Sequence, residues 1–562
     1  MCEYILGISY GHHESSCCLM GSDGTFEYLR EEWVSRVKND FRFPVFALNY
    51  LKNKYPDLEK NISTVCLHQK PLKNWLGIGT RKNLSIQNYL NKINQFKKSD
   101  IFFEREFKKI FSGKTNFYYC PHHLSHLYTA EYLLGIKDSG TLNIILDGYG
   151  EGLSGAIYKG QAKDIKLIKE YKTLSSFGII YSGITEWCGF KPNEDEYKVM
   201  ALAGYGKTKF VDYIDNNIIH FNESTLDISI NKDYFNFEDS SKNTVTQSFI
   251  KKFGSFKSNK PILDQPEILN CICSFQYIIE KTVISLIAKL VDKNKNVNQV
   301  FLSGGLFNNS KLVGEITKKI QKKILVSPSP GDAGSSIGAA YFTMLCLDKK
   351  FIIKNKNPYI GPRTPSIKNY THLFSEYKSE STYSKIIEIL SNDETFAVFS
   401  GFSEVGPRAL LSRSLCCNAK SKIAIDNLNT KLKKRESFRP IAPVIHKNLL
   451  LEKFEYNDAS IENLFWMGQL IWPRTDKKVE EYPFYHIDKS VRAQVFDDKL
   501  ALHRKFIPSL LQKLLNEGYI LGNTSLNIAG EPMVFLPEDL YINCKRLEVK
   551  YVLQDNLLYE VI

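Results

Sequence analysis

The sequence of 562 residues predicts an α/β protein with two domains. Short apolar runs separated by Gly and Asp, such as Tyr4–Ser9 and Ser16–Met20, indicate β-strands. The long stretch Ile268–Val291 carries apolar residues at helical spacing. Between Lys349 and Ser381 the chain is charged and punctuated by proline, which indicates a linker. A second apolar core begins near Thr395, so we expect a separate domain there.

The composition is that of a globular protein with a basic balance. The apolar fraction is 43% and the charged fraction 24%, both ordinary values that exclude extended disorder. The formal net charge is +13, from 74 Lys and Arg against 61 Asp and Glu. Such an excess fits phosphorylated ligands or nucleic acid as partners. Because the charges are dispersed, a solubilising surface is the simpler interpretation, and we do not expect a nucleic-acid partner.

The cysteine pattern and the apolar runs bear on the compartment. The 12 cysteines are scattered and show no repeated C-x-x-C pair at zinc-site spacing. We interpret them as reduced thiols of a cytoplasmic protein. The N-terminus lacks the pattern of a signal peptide, and no run of about 18 apolar residues occurs, so we expect no membrane span.

One histidine pair has the spacing of a metal site. His122 and His126 are four residues apart, which on a helix places both imidazoles on one face. Alone, such a pair is more often packing than a ligand set. Asp147, after a predicted strand, and Asp332, in a loop bounded by Pro and Gly, are turn positions where Asp is common for local reasons. Two imidazoles and two carboxylates together would suit Fe(II), Mn(II) or Zn(II).

Two glycine-rich turns are candidates for nucleotide contact. The strand Leu142–Leu146 is predicted to stop at Asp147, and Gln299–Leu302 is followed by a Ser-Gly-Gly turn. Glycine lets backbone approach phosphate, but the simpler interpretation of each is a hairpin turn. The predicted nucleotide contacts are Gly148, Tyr149, Gly150, Glu151, Gly304, Gly305 and Asn308.

The C-terminal half contains a basic stretch interrupted by Phe438 and Pro440, which favours a lined pocket over a solvated face. Arginine grips phosphate oxygens in pairs and lysine supplies a point charge. Serine and asparagine add polar contacts. The candidates are Arg408, Lys433, Arg435, Arg439, Asn523, Ser525 and Asn527.

Taken together, the ordered motifs resemble the O-carbamoyltransferases of antibiotic and nodulation-factor biosynthesis, among them the tobramycin, cephamycin, ansamycin and nodulation carbamoyltransferases. The resemblance spans nearly the whole chain. It is carried by residues 5–9, 13–15, 31–32, 35–38, 122–126, 196–206, 358–362, 406–410, 438–440, 523–525 and 530–532. Many motifs in the right order are far more specific than any one of them.

The resemblance implies a fold and a division of the chain. Residues 1–350 would form an actin-like ATPase domain of two related lobes. Residues 351–385 would be a linker. Residues 386–562 would form a smaller α/β domain similar to threonylcarbamoyl-AMP synthase, whose Lys-x-Arg and Ser-x-Asn signatures resemble Lys433–Arg435 and Ser525–Asn527.

The resemblance also implies a reaction in two stages. In the C-terminal pocket, carbamoyl phosphate and Mg(II)-ATP would give carbamoyl-AMP with loss of phosphate and pyrophosphate. In the N-terminal domain the carbamoyl group would pass to a hydroxyl of a small natural product. By resemblance His122, His126, Asp147 and Asp332 hold a divalent metal, Fe(II) before Mn(II) or Zn(II). His13 would accept the hydroxyl proton, and Lys38 would contact the adenylate or carbamoyl oxygen. We expect a monomer or homodimer.

One departure from the family pattern leaves alternatives open. Ala529 stands where the family has Arg, which weakens carbamoyl phosphate binding unless another cation such as Arg492 compensates. The alternatives are an actin-like kinase of a small substrate, an enzyme of the tRNA threonylcarbamoyladenosine type, and a binding protein that keeps the fold without catalysis.

Overall fold

The chain forms two compact units in a computed structural model that describes residues 3–70, 102–135, 140–237, 243–349, 351, 357–379, 381–476 and 481–562. Unit 1 comprises Met1–Phe26 and Phe41–Lys356. Unit 2 comprises Glu27–Asp40 and Asn357–Ile562. A short N-terminal segment with helix α1 (Glu31–Ser35) therefore belongs to the same unit as the C-terminal part of the chain.

Unit 1 begins with a sheet in the order β3-β2-β1-β4-β5. Its strands are β1 (Tyr4–Ser9), β2 (Ser16–Gly21), β3 (Phe26–Arg30), β4 (Ile62–Leu67) and β5 (Asn116–Tyr119). Of β3, only Phe26 is counted with unit 1, and the residues from Glu27 on are counted with unit 2. The strand β1 is antiparallel to β2 and parallel to β4, and β4 is parallel to β5. Every residue of β1 is buried, as expected for a strand covered on both faces.

A second sheet repeats this order. Its strands are β6 (Thr141–Gly150), β7 (Leu153–Gln161), β8 (Asp164–Lys172), β11 (Gln299–Ser303) and β12 (Lys323–Val326), while β9 (Ile219–Asn222) and β10 (Asp227–Ile230) form a separate hairpin. The order is β12-β11-β6-β7-β8, with β6 antiparallel to β7 and parallel to β11. Numbered within each lobe, both sheets run 3-2-1-4-5. The predicted two related lobes of actin-like topology are confirmed.

The prediction that a strand stops at Asp147 is wrong. The strand β6 continues to Gly150, with an irregular register against β7 between Leu146 and Gly150. The chain reverses one residue later, where Glu151 and Gly152 both adopt positive φ angles of 56° and 84°. Asp147 therefore lies within the irregular end of β6, between the paired residues Leu146 and Gly150.

Helices connect and cover the two sheets of unit 1. Those described are α2 (Val45–Lys54), α3 (Leu58–Asn61), α4 (102–110), α5 (His122–Leu134), α6 (Phe177–Trp187), α7 (Glu196–Leu202), α8 (Val211–Asn217), α9 (Gln247–Phe253), α10 (Pro266–Lys293), α11 (Ser310–Lys319) and α12 (Ser335–Cys346). In the described part of the chain, α10 alone is long and apolar enough to cross a bilayer, and 67% of its apolar window is buried inside the protein.

The small-residue helix α12 packs closely on its neighbours. A Cβ atom added at Gly338 would lie 1.8 Å from the carbonyl oxygen of Ser125, on α5. A Cβ atom added at Gly7, on β1, would lie 1.9 Å from the carbonyl oxygen of Ser336. These two glycines therefore bring α12 against both the helix that carries His122 and the first sheet.

Unit 2 is built on an eight-stranded mixed sheet in the order β14-β24-β23-β15-β17-β22-β18-β21. Its strands are β14 (Phe374–Glu376), β15 (Phe396–Phe399), β17 (Arg413–Asn418), β18 (Ala442–His446), β21 (Gln494–Phe496), β22 (Leu521–Ser525), β23 (Tyr551–Gln554) and β24 (Leu557–Val561). Two small pairs accompany it, β13 (Tyr359–Arg363) with β16 (Phe402–Glu404) and β19 (Phe454–Glu455) with β20 (Trp472–Pro473). The strands β13 and β14 lie within residues 351–385.

The helices of unit 2 cover this sheet. They are α13 (Thr382–Ser391), α14 (Lys422–Asp426), α15 (Lys447–Lys453), α16 (Glu462–Phe465), α17 (Ala501–Phe506), α18 (Ser509–Asn516) and α19 (Pro537–Arg546). Fully buried apolar residues such as Phe396, Leu511 and Leu553 form the core between helices and sheet. The predicted α/β class therefore holds for both units.

The N-terminal segment of unit 2 is anchored by a buried charge pair. The guanidinium of Arg413 lies 4.5 Å from the centre of the Trp33 ring and donates from Nε to Glu404 at 3.0 Å. The side chains of Arg413 and Glu404 are fully buried. Glu404 also accepts from the backbone N–H groups of Leu410 and Ser412. Removal of one partner would leave an uncompensated buried charge, so this pair fixes the segment to the C-terminal sheet.

Candidate metal centre and phosphate site

The candidate metal centre lies where the parallel strands of both lobes end. In the first sheet, His122 follows β5 by two residues and begins α5. In the second sheet, Asp147 lies near the end of β6, and Asp332 lies in the segment after β12. Because carboxyl ends of parallel strands share one edge of a sheet, the topology brings these loops together. Ligands from distant parts of the sequence therefore meet in one place.

Two imidazoles and two carboxylates converge there. The Nε2 atom of His122 lies 3.0 Å from Oδ2 of Asp147 and 3.2 Å from Nε2 of His126. The Nε2 atom of His126 lies 3.3 Å from Oδ1 of Asp332. One ligand atom from each of the four residues lies within 4.8 Å of the others. Ligands about 2.1 Å from a tetrahedral cation are about 3.4 Å apart, so these spacings suit one ion.

Hydrogen bonding within the cluster also fits a cation. The Oδ1 atom of Asp332 is buried without a hydrogen-bond partner among the described residues. Two Nε2 atoms that face each other can share at most one proton. The donor set of two nitrogens and two oxygens suits Fe(II), Mn(II) or Zn(II).

Charge in this cluster is strongly coupled. Burial lowers the pKa of His126, but the nearby carboxylates of Asp147 and Asp332 outweigh it and raise the pKa to about 10. Burial raises the pKa of Asp147, but the bonds from His122 and His126 outweigh this and hold it well below its ordinary value. Without a cation, His126 thus keeps a proton between two carboxylates at neutral pH. A metal ion would take the place of that proton.

Neighbouring backbone fixes the ligands. The N–H group of Gly305 donates to Oδ1 of Asp147 at 2.8 Å, which leaves Oδ2 for His122. A Cβ atom added at Gly150 would lie 2.0 Å from Cδ2 of His122, so only glycine allows β6 to approach this ring. Gly304 has a φ of 93°, and a Cβ atom there would lie 2.2 Å from the carbonyl oxygen of Leu146. The predicted nucleotide-contact glycines thus also shape the metal centre.

The other predicted nucleotide contacts take several positions around the centre. The carboxylate of Glu151 accepts from the backbone N–H groups of Lys70 and His122, at 2.5 and 3.2 Å. Its charge therefore faces the first turn of α5, where it is favoured by the helix dipole. Gly148 and Tyr149 are half-buried, and the ring of Tyr149 lies 6.4 Å from that of His12. Asn308 is exposed, at the end of the short helix Gly305–Asn308.

The predicted base His13 is held by its neighbours in unit 1. Its Nε2 donates to the carbonyl oxygen of Asn193, and Nδ1 lies 3.9 Å from the carboxylate of Glu14. Burial lowers the pKa of His13, but the bond and charge of Glu14 outweigh it and raise the pKa to about 9. At neutral pH this imidazole is a cation. The role of base that the family resemblance implies for His13 therefore requires that His13 first lose its proton.

In unit 2 the structure brings together the predicted phosphate-binding residues around Lys433. The Nζ atom of Lys433 donates to the carbonyl oxygens of Ser525 and Asn527 and, at 2.9 Å, to Oδ1 of Asn527. The hydroxyl of Ser525 donates to the same Oδ1 at 2.7 Å. The Arg435 guanidinium donates to Asn429 and Thr524.

Positive charge is concentrated around Lys433. Burial lowers the pKa of Lys433 well below its ordinary value, and the charges of Arg435, Arg439 and Lys38 lower it further. Lys38 therefore lies close enough to interact with the cluster of unit 2. In the sequence it is much nearer to His13, which belongs to unit 1. Arg439 also makes an ion pair with Glu436 at 3.3 Å. An anion is the ligand that such a cluster would favour.

Three further predicted residues lie at one buried junction. The side-chain amide of Asn523 donates to the carbonyl oxygen of Ala409 and to Gln494, both at 2.9 Å. Its Oδ1 atom is buried without a hydrogen-bond partner in the described part of the chain. Arg408 precedes Ala409 and Arg492 comes two residues before Gln494, and both arginine side chains are half-buried. Each arginine thus lies within two residues, along the chain, of a residue that Asn523 contacts.

Two histidines beside the metal centre were missed in the sequence. His68 directly follows β4, is fully buried, and its ring centre lies 5.6 Å from that of His122. The ring of His12 lies 5.8 Å from that of His122, and its Nε2 donates to Gln69 at 2.6 Å. The available signal was position, since each follows a strand of the parallel set β1, β4 and β5. In the sequence, neither histidine stands four residues from another histidine, the spacing that marks His122 and His126.

Two family models match the two parts of this chain. A family model described as the carbamoyltransferase N-terminus matches residues 4–341, and one described as the carbamoyltransferase C-terminus matches residues 387–560. The first alone covers more than half of the chain.

Individual relatives are similar over most of the chain. An uncharacterized protein of Synechocystis sp. is 27% identical over 99% of this chain and 96% of its own length. An uncharacterized protein of Methanocaldococcus jannaschii is 27% identical over 99% of both chains. Nodulation protein NolNO of Sinorhizobium fredii is 26% identical over 74% of this chain and 60% of its own. The family matches, which extend over both units and include both clusters, show that this chain belongs to the carbamoyltransferase family.

Proposed function

We propose that this protein forms carbamoyl-AMP from carbamoyl phosphate and ATP and then transfers the carbamoyl group to a hydroxyl of a small-molecule acceptor. The observation that carries the proposal is the convergence of His122, His126, Asp147 and Asp332 within 4.8 Å in a carbamoyltransferase. A kinase of similar fold has no need of this ligand set, nor of the cationic cluster around Lys433.

The first stage would take place in unit 2. Carbamoyl phosphate, ATP and one water give carbamoyl-AMP, phosphate and pyrophosphate. Water first breaks the bond between the carbamoyl group and phosphate, which gives carbamate and free phosphate. A carbamate oxygen then forms the new bond to the α-phosphorus of ATP as the bond to pyrophosphate breaks. Lys433, Arg435 and Arg439 would neutralise the transferring phosphates, as preorganised charges do in phosphoryl transfer. Arg408, Arg492, Asn523, Ser525 and Asn527 would complete the pocket, and Lys38 would add a further positive charge.

The second stage would take place in unit 1. The acceptor oxygen attacks the carbamoyl carbon, the bond to AMP breaks, and the hydroxyl proton leaves. A divalent ion held by the two histidines and two aspartates would act as a Lewis acid. Gly148, Gly150, Gly304 and Gly305 would let backbone approach the adenylate phosphate, and Tyr149, Glu151 and Asn308 line the same edge. His13, after loss of its proton, would accept the proton of the hydroxyl.

The fate of ATP tests this proposal. The protein is incubated with Mg(II)-ATP, with and without carbamoyl phosphate, and the nucleotide and phosphate products are separated. We expect pyrophosphate only when carbamoyl phosphate is present. The appearance of ADP in its place would support the kinase alternative and contradict the adenylate route.

A second candidate, modification of tRNA, is favoured only by the net charge of +13. Binding through dispersed charges weakens steeply with salt. Tight tRNA binding that persists at high salt would favour this alternative over a small-molecule acceptor.

A further inference from the structure

In the proposed metal centre, the ring nitrogens that point away from the metal, Nδ1 of His122 and His126, lack hydrogen-bond acceptors in the described part of the chain. A neutral imidazole that ligates through Nε2 carries its proton on Nδ1, and this N–H group normally donates to an acceptor. In the described part of the chain, the Nδ1 atoms of His122 and His126 are buried and have no hydrogen-bond partner. A complete centre therefore needs an acceptor close to each ring.

His68 has the complementary requirement. It is fully buried, and neither of its ring nitrogens has a hydrogen-bond partner in the residues that the structure describes. Its backbone is fixed, because its N–H group donates to the carbonyl oxygen of Ile8 at 3.0 Å. A buried imidazole with both nitrogens unpaired is destabilising. Packing alone therefore does not explain a histidine at position 68, because an apolar side chain would avoid this cost.

Geometry selects His122 as the partner. The rings of His68 and His122 meet edge to face at 63°, with centres 5.6 Å apart. A direct N–H···N bond between two imidazoles separates their centres by about 5 Å. The two ring centres are therefore only about 0.6 Å farther apart than in such a bond.

Two other rings lie near His122. The Nε2 atom of His12 is already bonded to Gln69. The ring of His123 lies 5.2 Å from that of His122, at 84°, and its buried Nε2 also has no hydrogen-bond partner among the described residues, so His123 is the alternative partner that the test must exclude.

We propose that His68 is a positioning residue of the metal centre: its unprotonated nitrogen accepts a hydrogen bond from Nδ1–H of His122 and fixes the ring with Nε2 toward the cation. This inference rests on the proposed function, since it assumes that the four-residue cluster binds a metal. His68 itself does not contact the ion. It would act as the outer partner that ligating histidines commonly have.

Metal affinity and stability together test the role of His68. The metal-free full-length protein is titrated with Mn(II), and free Mn(II) is followed by electron paramagnetic resonance. Urea unfolding of the same metal-free samples gives their stability. The variants are His68→Leu, which removes the acceptor, and His68→Gln, which keeps one. His503→Gln is the matched control, because His503 is a buried histidine of unit 2.

We expect His68→Leu to weaken Mn(II) binding roughly 10- to 100-fold, the usual effect of losing such a partner. The metal-free stability of this variant should not fall, because two unpaired nitrogens leave the core. His68→Gln should retain most of the affinity, and His503→Gln all of it.

Unchanged affinity in His68→Leu would overturn the role of His68 alone. So would an affinity loss that only follows a loss of metal-free stability. A larger loss of affinity in His123→Leu than in His68→Leu would show that His123, not His68, is the partner of His122. Failure of the wild-type protein to bind Mn(II), Fe(II) or Zn(II) would instead overturn the metal centre itself.

Discussion

At the scale of single residues, the metal centre depends on how each ligand atom is assigned. Asp147 divides its two oxygens, one to the N–H group of Gly305 and one to His122. His126 lies between two carboxylates and holds a proton where the cation would lie. Metal binding therefore competes with the proton on His126. It also depends on individual oxygen atoms, such as Oδ2 of Asp147.

Replacement of one carboxylate oxygen tests the ligand assignment. In Asp147→Asn the amide oxygen can still accept from Gly305, but an NH₂ group replaces Oδ2. We expect a folded protein whose metal affinity falls by more than the roughly 10- to 100-fold that an outer partner supplies. Isothermal titration with Zn(II) measures this. Asp227→Asn, at an exposed ion pair with Lys169, is the control and should bind normally. Equal affinities would contradict the assignment of Asp147.

The raised pKa of His126 predicts proton release. Because this pKa is about 10 without metal, the imidazole is protonated at neutral pH and must lose that proton to ligate. We expect about one proton released per metal bound and an affinity that rises with pH up to about 10. Titrations in buffers of different ionisation enthalpy report the number of protons. Release of none would contradict the proposed coordination by His126.

Part of this chemistry could be predicted from single residues. The helical spacing of His122 and His126 indicates a shared face, whereas Asp147 and Asp332 were added as carboxylates in turns, with no sequence spacing that joins them to the histidines. No local pattern shows that Glu151 turns its carboxylate to the start of α5, or that Glu14 keeps His13 protonated. The first depends on a contact between residues distant in sequence, and the second on the way the fold turns the side chains of the adjacent residues His13 and Glu14 toward each other.

At the scale of elements, strand ends organise the centre. Three parallel strands of each lobe deliver their following loops to one edge, and two glycines control how closely these loops approach. The sequence indicated β1, β2 and α10 because their apolar residues have regular spacing. It did not show that β6 continues past Asp147, because Asp and Gly are also the usual residues of a turn.

Gly150→Ala tests the close approach of β6 to the metal ligands. The added Cβ would meet Cδ2 of His122 at 2.0 Å, so the ring or the strand must move. We expect a loss of about 1–3 kcal/mol in the free energy of unfolding, with weaker metal binding.

Gly148→Ala provides the matched control, since a Cβ there has nothing within 4 Å. Denaturant unfolding and metal titration of both variants make the comparison. Similar behaviour of the two variants would show that Gly150 does not control the His122 position.

At the scale of the whole molecule, the two units separate two kinds of chemistry. Unit 1 holds the imidazole and carboxylate cluster, and unit 2 holds the buried cations. The α/β class and the related lobes could be predicted, but the membership of Lys38 in unit 2 could not. A segment of 14 residues, Glu27–Asp40, belongs to a unit whose remaining residues begin more than 300 positions later.

Lys433→Met tests this division of labour. The methionine keeps an apolar side chain of similar length but removes the amino group that bonds Ser525 and Asn527 in the cationic cluster. We expect pyrophosphate release to fall roughly 100-fold or more, with metal binding in unit 1 unchanged. His126→Ala should show the reverse pattern. Loss of both properties in either folded variant would contradict independent roles for the two clusters.

The central claim is that four side chains hold one cation, and metal stoichiometry tests it most directly. The metal-free protein is loaded with Mn(II), and bound ions and their nitrogen ligands are measured by pulsed electron paramagnetic resonance. The account predicts one tightly bound ion per chain with two imidazole nitrogens, absent when His122 and His126 are both alanine. No tight binding, or the same signal in that double variant, would contradict it.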